Sequence, residues 1–313
     1  MILNIQNLID DAKCFESVRS LRWPDGVTCP NCASAQVIKK GRDDTQPARQ
    51  RYECSACQRR FDDLTGTIFA AHHRPLRTWI LCLYFMGLNL SNEQIAQELD
   101  LNPDDAQKMA SRLREGIVDR KPEVTLTGEV ECDEVYVVAG HKGHPEAVSK
   151  KGRVGRRRRL KGERGRGTLA KEKPPILGMI QRTGEVLIRM LEDVQQVTIG
   201  PLIKRAITEG SVVYTDEYGI YSRLREWGYT HRTVCHAAGE FARDEDGDGF
   251  CEVHVNTIEG FWSLLRSWLR PHRGISQEKL PLYLGFFEFV HNVRKRGKAL
   301  LGGLIALLVS SSP

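Results

Sequence analysis

Thr127–Val138 reads TGEVECDEVYVV. Its Val and Tyr content marks a β-strand, and an acidic residue, Asp133, sits in the middle. An ionised Asp inside an apolar strand is costly unless something positive compensates it. A second run of the same character, Ser211–Tyr218 (SVVYTDEY), closes on Asp216. A third acid, Glu259, lies near the start of NTIEGFWSLLRSWLR, which begins at Asn256. There Ile258, Phe261, Trp262, Leu265 and Leu269 recur at helical spacing and form one apolar face. Glu259 and Arg266 are seven residues apart and share a side of that helix.

Taken singly, a strand-end Asp and a helix-start Glu are common, because turns and helix dipoles favour them. Brought together, three carboxylates repel by about 4 kcal/mol per pair at roughly 4 Å in a protein-like dielectric. A divalent cation removes that penalty. Hard oxygen donors favour magnesium or manganese, and two such ions about 3.5–4 Å apart suit phosphodiester transfer.

The surrounding composition fits work on nucleic acid. At 313 residues the chain exceeds one compact domain. Its net charge is only +6, but Lys150–Lys173 (KKGRVGRRRRLKGERGRGTLAKEK) holds twelve Lys or Arg against two Glu, so this stretch carries +10 and the rest −4. The stretch is Gly-rich and without apolar periodicity, which predicts a mobile loop. Interrupting the candidate catalytic region, its Arg156, Arg157, Arg158 and Arg159 are placed to contact phosphates. The N-terminus shows no secretory signal, and the longest apolar run, Ala299–Val309, is too short to span a bilayer and reads as a packed helix. A cytoplasmic, DNA-associated protein without membrane contact is expected.

Of nine cysteines, four form the spacing C-x2-C-x21-C-x2-C at Cys29, Cys32, Cys54 and Cys57. Each knuckle supplies two thiolates, and two knuckles close one tetrahedral site, the pattern of a zinc ribbon. Such a zinc ion is structural and contributes directly to folding a segment with little core of its own. The long intervening stretch is absorbed by a hairpin tip around Lys39–Gln50. Thioredoxin-like redox chemistry does not suit two knuckles without a βαβ context, and scattered remaining cysteines fit a reducing cytosol.

After Gly66 the pattern turns helical. Leu76–Met86 is apolar, and Ser91–Leu99 opens with a capping box, Ser91 with Gln94 three residues on. After Leu101-Asn102-Pro103 comes a helix over Asp104–Ile117. With Ile95, Leu99, Leu101, Met109 and Leu113 as core and Ala96 at the crossing, the pair reads as a helix-turn-helix. Its second helix would present Gln107, Lys108, Ser111 and Arg112 to the major groove of double-stranded DNA.

Lys121-Pro122 marks a linker, giving domains 1–66, 67–121 and 122–313. Beyond it the order is strand (Val130–Val138), basic loop, strand (Ile176–Gln181), strand (Glu185–Leu191), helix (Ile199–Ile207), strand with Asp216, helix (Ile220–Trp227), strand (His231–His236) and the Glu259 helix. The fold class is α/β in a multidomain α+β chain, and this order is RNase H-like. In that arrangement the first and fourth strands are neighbours, placing Asp133 near Asp216, while the late helix carries Glu259 across. Glu134 points to the opposite strand face from Asp133, and Glu131 shares the Asp133 face. Two features lie outside this scheme. Asp244, Asp246, Asp248 and Gly249 match the opening of an EF-hand loop, but Val255 stands where a bidentate Glu is required, so this is an acidic surface loop. His72 and His73 lack metal-ligand spacing.

The runs WPDGVTCPNC, YECSACQRRF followed by LTGTIF, GEVECDEVYV and HVNTIEGFWSLLR together resemble bacterial insertion-sequence transposases with a zinc ribbon ahead of an ISXO-like DDE integrase core. The resemblance spans nearly the whole chain. It implies that Asp133 and Asp216 are the two aspartates of a magnesium- or manganese-binding triad, with Glu259 or Asn256 as the third metal-proximal residue. It also implies that Arg266 occupies a phosphate-binding position that usually holds Lys. Arg binds phosphate bidentately and differs from Lys in reach and hydration. The expected activity is cleavage at terminal inverted repeats and joining of 3′ ends to target DNA, by a homodimer or larger assembly. The alternatives are a non-catalytic DNA-binding regulator and a nuclease that cuts without joining.

Overall fold

A computed structural model describes residues 10–150, 166–295 and 299–310. The chain divides into two compact units, residues 1–121 with 296–313, and residues 122–295.

The first unit opens with helix α1 (Asp11–Arg22), capped by Asp10. Strands β1 (Val37–Arg42), β2 (Gln50–Cys54) and β3 (Arg60–Asp62) then form an antiparallel meander. Its small core is Tyr52 and Phe61, stacked at 5.2 Å, with Trp23 edge-on. Buried Asp63 ties α1 to the ribbon, accepting from the Gln50 N–H at 2.7 Å and lying 3.0 Å from the Arg19 guanidinium. Three helices follow: α2 (Leu76–Gly87), α3 (Asn92–Glu98) and α4 (Pro103–Arg120). The Ser91–Gln94 capping box is formed in full, and Asn102 caps α4 with Pro103 in its first turn. Ile95, Ala96, Met109 and Leu113 are buried, whereas Leu99 and Leu101 are half-buried.

The second unit holds a five-stranded sheet. Its strands are β4 (Glu129–Tyr136), β5 (Pro175–Gln181), β6 (Val186–Met190), β7 (Val212–Thr215) and β8 (Thr230–Thr233), in spatial order β6-β5-β4-β7-β8. The β4–β5–β6 meander is antiparallel, and β4, β7 and β8 run parallel. This is the RNase H-like arrangement. Helices α5 (Pro145–Lys150) and α6 (Gln196–Ala206), the hairpin β9 (Ala242–Arg243) with β10 (Val253–His254), and helices α7 (Asn256–Leu269) and α8 (Leu280–Lys295) complete it. One sheet face packs Val130 and Cys132 against Ile199 and Ile203 of α6. The other packs Ile176, Ile180 and Ile188 against Ile258, Phe261 and Trp262 of α7 and Leu284 and Phe287 of α8. Edge strand β6 is covered by α8, whose buried Asn292 and Glu288 accept the Val186 and Ile188 N–H groups at 2.9 Å each.

Two sequence expectations are corrected. Ile220–Trp227 is not an α-helix: a 3₁₀ turn over Gly219–Tyr221 leads into further turns, with i→i+3 bonds such as Leu224 N–H to Tyr221 C=O and Trp227 N–H to Leu224 C=O. The apolar run after Ala299 does form a helix, α9 (Leu300–Val309), but it belongs to the first unit rather than to the 122–313 domain. With Leu301, Leu304, Ile305, Leu308 and Val309 buried, it fills a groove beside α1, α2 and α4. Gly116 of α4 makes room there, since a Cβ would lie 2.1 Å from Ile68 Cδ1 and 3.0 Å from Leu308 Cδ2.

Candidate active site and cysteine cluster

The register of the parallel pair β4–β7 sets Glu131 beside Tyr214, and Asp133 and Asp216 each follow two residues further along their segments. Asp216 lies just past the end of β7, where the sheet opens, and its Oδ1 accepts the Tyr218 N–H at 3.0 Å. Crevices at the carboxyl ends of parallel strands are where such sheets bind ligands. Asp133 accepts the Trp262 indole N–H at 2.8 Å. Burial raises the Asp133 pKa to about 6, and the Asp216 and Glu259 charges push in the same direction, against the Trp262 hydrogen bond. Among the three acids, the charges of Asp216 and Glu259 thus both act on Asp133. Their oxygens do not all come within 4.8 Å of one another, a separation met among the described residues by the four cysteines and by Asp244, Asp246 and Glu252.

Glu259 lies in the first turn of α7, exposed, and Asn256 opens that helix with its N–H on His254 Nδ1 at 3.3 Å. Arg266 is exposed in the last turn. No side chain of α7's own N-cap residue, Val255, closes the helix. Glu131 does so instead. Fully buried, it accepts the Thr257 hydroxyl and the Ile258 N–H at 2.9 Å each, and pairs with the Arg182 guanidinium at 2.9 Å. A carboxylate at the positive end of a helix is favourable, and here it pins α7 to β4. Glu131 thus acts on the position of Asn256 and Glu259.

Trp262 and Gly178 were legible only in part. Trp262 belongs to the apolar face of α7, but its N–H on Asp133 needs the strand pairing to be known. Gly178 faces Asp133 in β5, and a Cβ there would lie 2.3 Å from the Trp262 ring. An isolated Gly inside an apolar strand is the sequence signal for such close approach. On the opposite face, as alternation requires, Glu134 accepts the Tyr221 hydroxyl. Burial raises the Glu134 pKa to about 8, helped by Asp133 and Asp216 and opposed by Arg166. Arg166 stacks over the Tyr218 ring at 3.5 Å, whereas Arg156, Arg157, Arg158 and Arg159 lie outside the described residues.

In the first unit the sulfurs of Cys29, Cys32, Cys54 and Cys57 lie within 4.8 Å of one another, with Cys29–Cys57 and Cys32–Cys54 at 3.6 Å. A tetrahedron with Zn–S bonds of about 2.3 Å has edges of roughly 3.8 Å, so the donor set fits structural zinc. On α4, Gln107, Lys108 and Arg112 are exposed and Ser111 is half-buried. The acidic loop closes on itself at the tip of the β9–β10 hairpin, Asp244 accepting the Gly247 and Gly249 N–H groups.

Residues 125–292 match the ISXO2-like transposase domain, and residues 9–60 match a transposase zinc-ribbon domain. The chain belongs to the ISXO2-like transposase family. This family member is 35% identical over 304 residues to an "uncharacterized protein in transposable element ISH50" of Halobacterium salinarum, covering 96% of the chain and 97% of the relative. An "uncharacterized transposase-like protein" of Haemophilus influenzae is 28% identical over 103 residues, 33% of the transposase-family chain and 77% of that protein. Among the described residues no helix is long and apolar enough to cross a membrane.

Proposed function

We propose that this chain is the transposase of an insertion sequence, acting on double-stranded DNA as a homodimer or larger assembly. It binds the terminal inverted repeats, cleaves to expose 3′ hydroxyls and joins them to target DNA. The observation that carries this reading is that the Asp216 charge, just past the end of β7, and the Glu259 charge on α7 both act on Asp133 in the neighbouring parallel strand β4.

Asp133, Asp216 and Glu259 or Asn256 would hold magnesium or manganese, and those ions would activate the attacking oxygen and stabilise the leaving one. Burial raises the Asp133 pKa and the Asp216 and Glu259 charges add to it, and a cation held by these acids would offset both effects. Trp262 fixes the Asp133 carboxylate, and Glu131 with Arg182 fixes the helix that presents the third donor. Arg266 is exposed on α7 and supplies a guanidinium for a DNA phosphate. The zinc ribbon and Gln107, Lys108, Ser111 and Arg112 on α4 provide the DNA-binding surface, together with Arg156, Arg157, Arg158 and Arg159.

The test is an in vitro strand-transfer assay with magnesium or manganese on labelled DNA carrying the ends that flank the gene. Joined products are expected for the wild type and lost in Asp133→Asn and Asp216→Asn. Full activity in either variant would overturn the site assignment. Comparing Glu259→Gln with Asn256→Ala identifies the third ligand by which loss is larger. Binding without cleavage would replace this reading by the regulator, and cut but unjoined ends by the nuclease.

A further inference from the structure

The first unit carries a cleft of about 630 Å³ between the His72–Pro75 segment, α2 and α4, lined by His72, Arg74, Trp79, Lys108, Met109 and Arg112, among others. That volume is in the range of small-ligand sites. Its chemistry is divided. Trp79 and Met109 are 4% exposed each and give it an apolar floor. Arg74 is engaged by Asp105 at 2.6 Å, while Lys108 and Arg112, four residues apart on one face of α4, have no ion-pair partner among the described residues. Net positive charge at the rim and an aromatic floor suit a ligand that is anionic at one end and flat at the other.

Two buried polar atoms define the floor further. Trp79 Nε1–H, a donor only, has no acceptor, and His72 Nε2 is buried without a partner. The His72 ring lies 4.4 Å from the Trp79 ring. Burial, then the Arg112 charge, lower the His72 pKa, and a backbone interaction at Ile68 opposes them. An unmatched indole donor and an unmatched imidazole nitrogen thus belong to two side chains that are in ring contact and line the cleft, and leaving both unsatisfied is costly. Every nucleobase offers an adjacent acceptor and donor on its edge.

We propose that the cleft receives one unpaired nucleotide of the DNA that this unit contacts, its base edge on Trp79 and His72 and its phosphate between Lys108 and Arg112. The inference rests on the DNA-binding reading above and adds a preference to it. Seating a base costs unstacking, least for a nucleotide that is already unpaired.

The test uses the full chain and two fluorescein-labelled duplexes of one sequence, blunt or with a single-nucleotide bulge, with dAMP as a competitor. The bulged duplex is expected to bind about tenfold tighter, in keeping with pairing two buried polar groups that are otherwise unsatisfied. In His72→Leu and Trp79→Phe the ratio of the two affinities falls to about one, with circular dichroism and zinc content confirming the fold of each variant. Equal affinity of the wild type for both duplexes would overturn the cleft assignment and leave duplex binding standing. A bulge preference that survives in both folded variants would also overturn it, by placing the preference elsewhere. Tight dAMP binding with no bulge preference would make the ligand a free nucleotide and defeat the proposal. If neither duplex binds, the DNA-binding reading fails and takes this inference with it.

Discussion

Replacing Glu131 by Ala removes the fully buried carboxylate that caps helix α7 and holds it to strand β4. Glu131 is fully buried and serves the Arg182 guanidinium, the Thr257 hydroxyl and the Ile258 N–H, each at 2.9 Å. The truncation leaves Arg182, with only 12% of its side chain exposed, without its buried partner. Removing one member of a buried ion pair costs about 3–5 kcal/mol, and losing a helix cap about 1 kcal/mol. These two losses overlap, so we expect about 4 kcal/mol in all. For a unit of this size that lowers the melting temperature by roughly 10 °C. Calorimetry of the full chain measures it, with Trp262 and Trp268 fluorescence reporting on the second unit. Removing both partners should be less damaging than the two single changes added together, because no unpaired charge is left inside. Glu131→Ala/Arg182→Met is therefore expected to recover at least about 1.5 kcal/mol of the summed losses. A Glu131→Ala variant within about 1 kcal/mol of wild type, or strictly additive losses, would refute the clamp.

Gly178→Ala puts a methyl group 2.3 Å from the rigid Trp262 ring; we expect a loss of about 1–3 kcal/mol and a changed near-ultraviolet dichroism spectrum, and wild-type stability would contradict the close approach. In protein with no added divalent cation, stability should fall as pH rises. The folded-state pKa values of Asp133 and Glu134 are raised, to about 6 and about 8, so the stability they contribute is complete below about pH 4 and is lost through those values. The Asp133 share is on the order of 3 kcal/mol, and a urea midpoint as high at pH 8 as at pH 5 would argue against it. Adding manganese should reverse that slope. Chelation should release one zinc per chain and deprotect the amides of β1–β3 in hydrogen exchange, and retained protection would mean that the cysteine cluster folds without metal.

The parts of this fold legible in the sequence are those where pattern and topology act together. Val and Tyr runs give β4 and β7, and the RNase H-like strand order makes them parallel neighbours, which is the premise for expecting Asp133 near Asp216. The α7 helix is read from its apolar period alone. Ile220, Tyr221, Leu224 and Trp227 fit a helical face equally well, yet their backbone closes i→i+3 bonds, a choice that periodicity does not register. Glu131 looks like a companion of Asp133 because both share a strand face, but its oxygens are consumed by Thr257 and Ile258, more than a hundred residues away. Likewise an all-apolar helix such as α9 carries no mark of which core it will enter.

That last helix has a consequence in time. A ribosome adding about 5–20 residues per second needs roughly 10–40 s to pass from Lys121 to the end of α9, an interval of roughly 190 residues. Throughout it the groove that Leu304, Ile305 and Leu308 will fill stands open. The second unit, contiguous from Pro122 to Lys295, is completed in the meantime. The order of maturation is therefore the reverse of the order of synthesis, and the cysteine-bearing unit acquires its final core only after the second unit has been made.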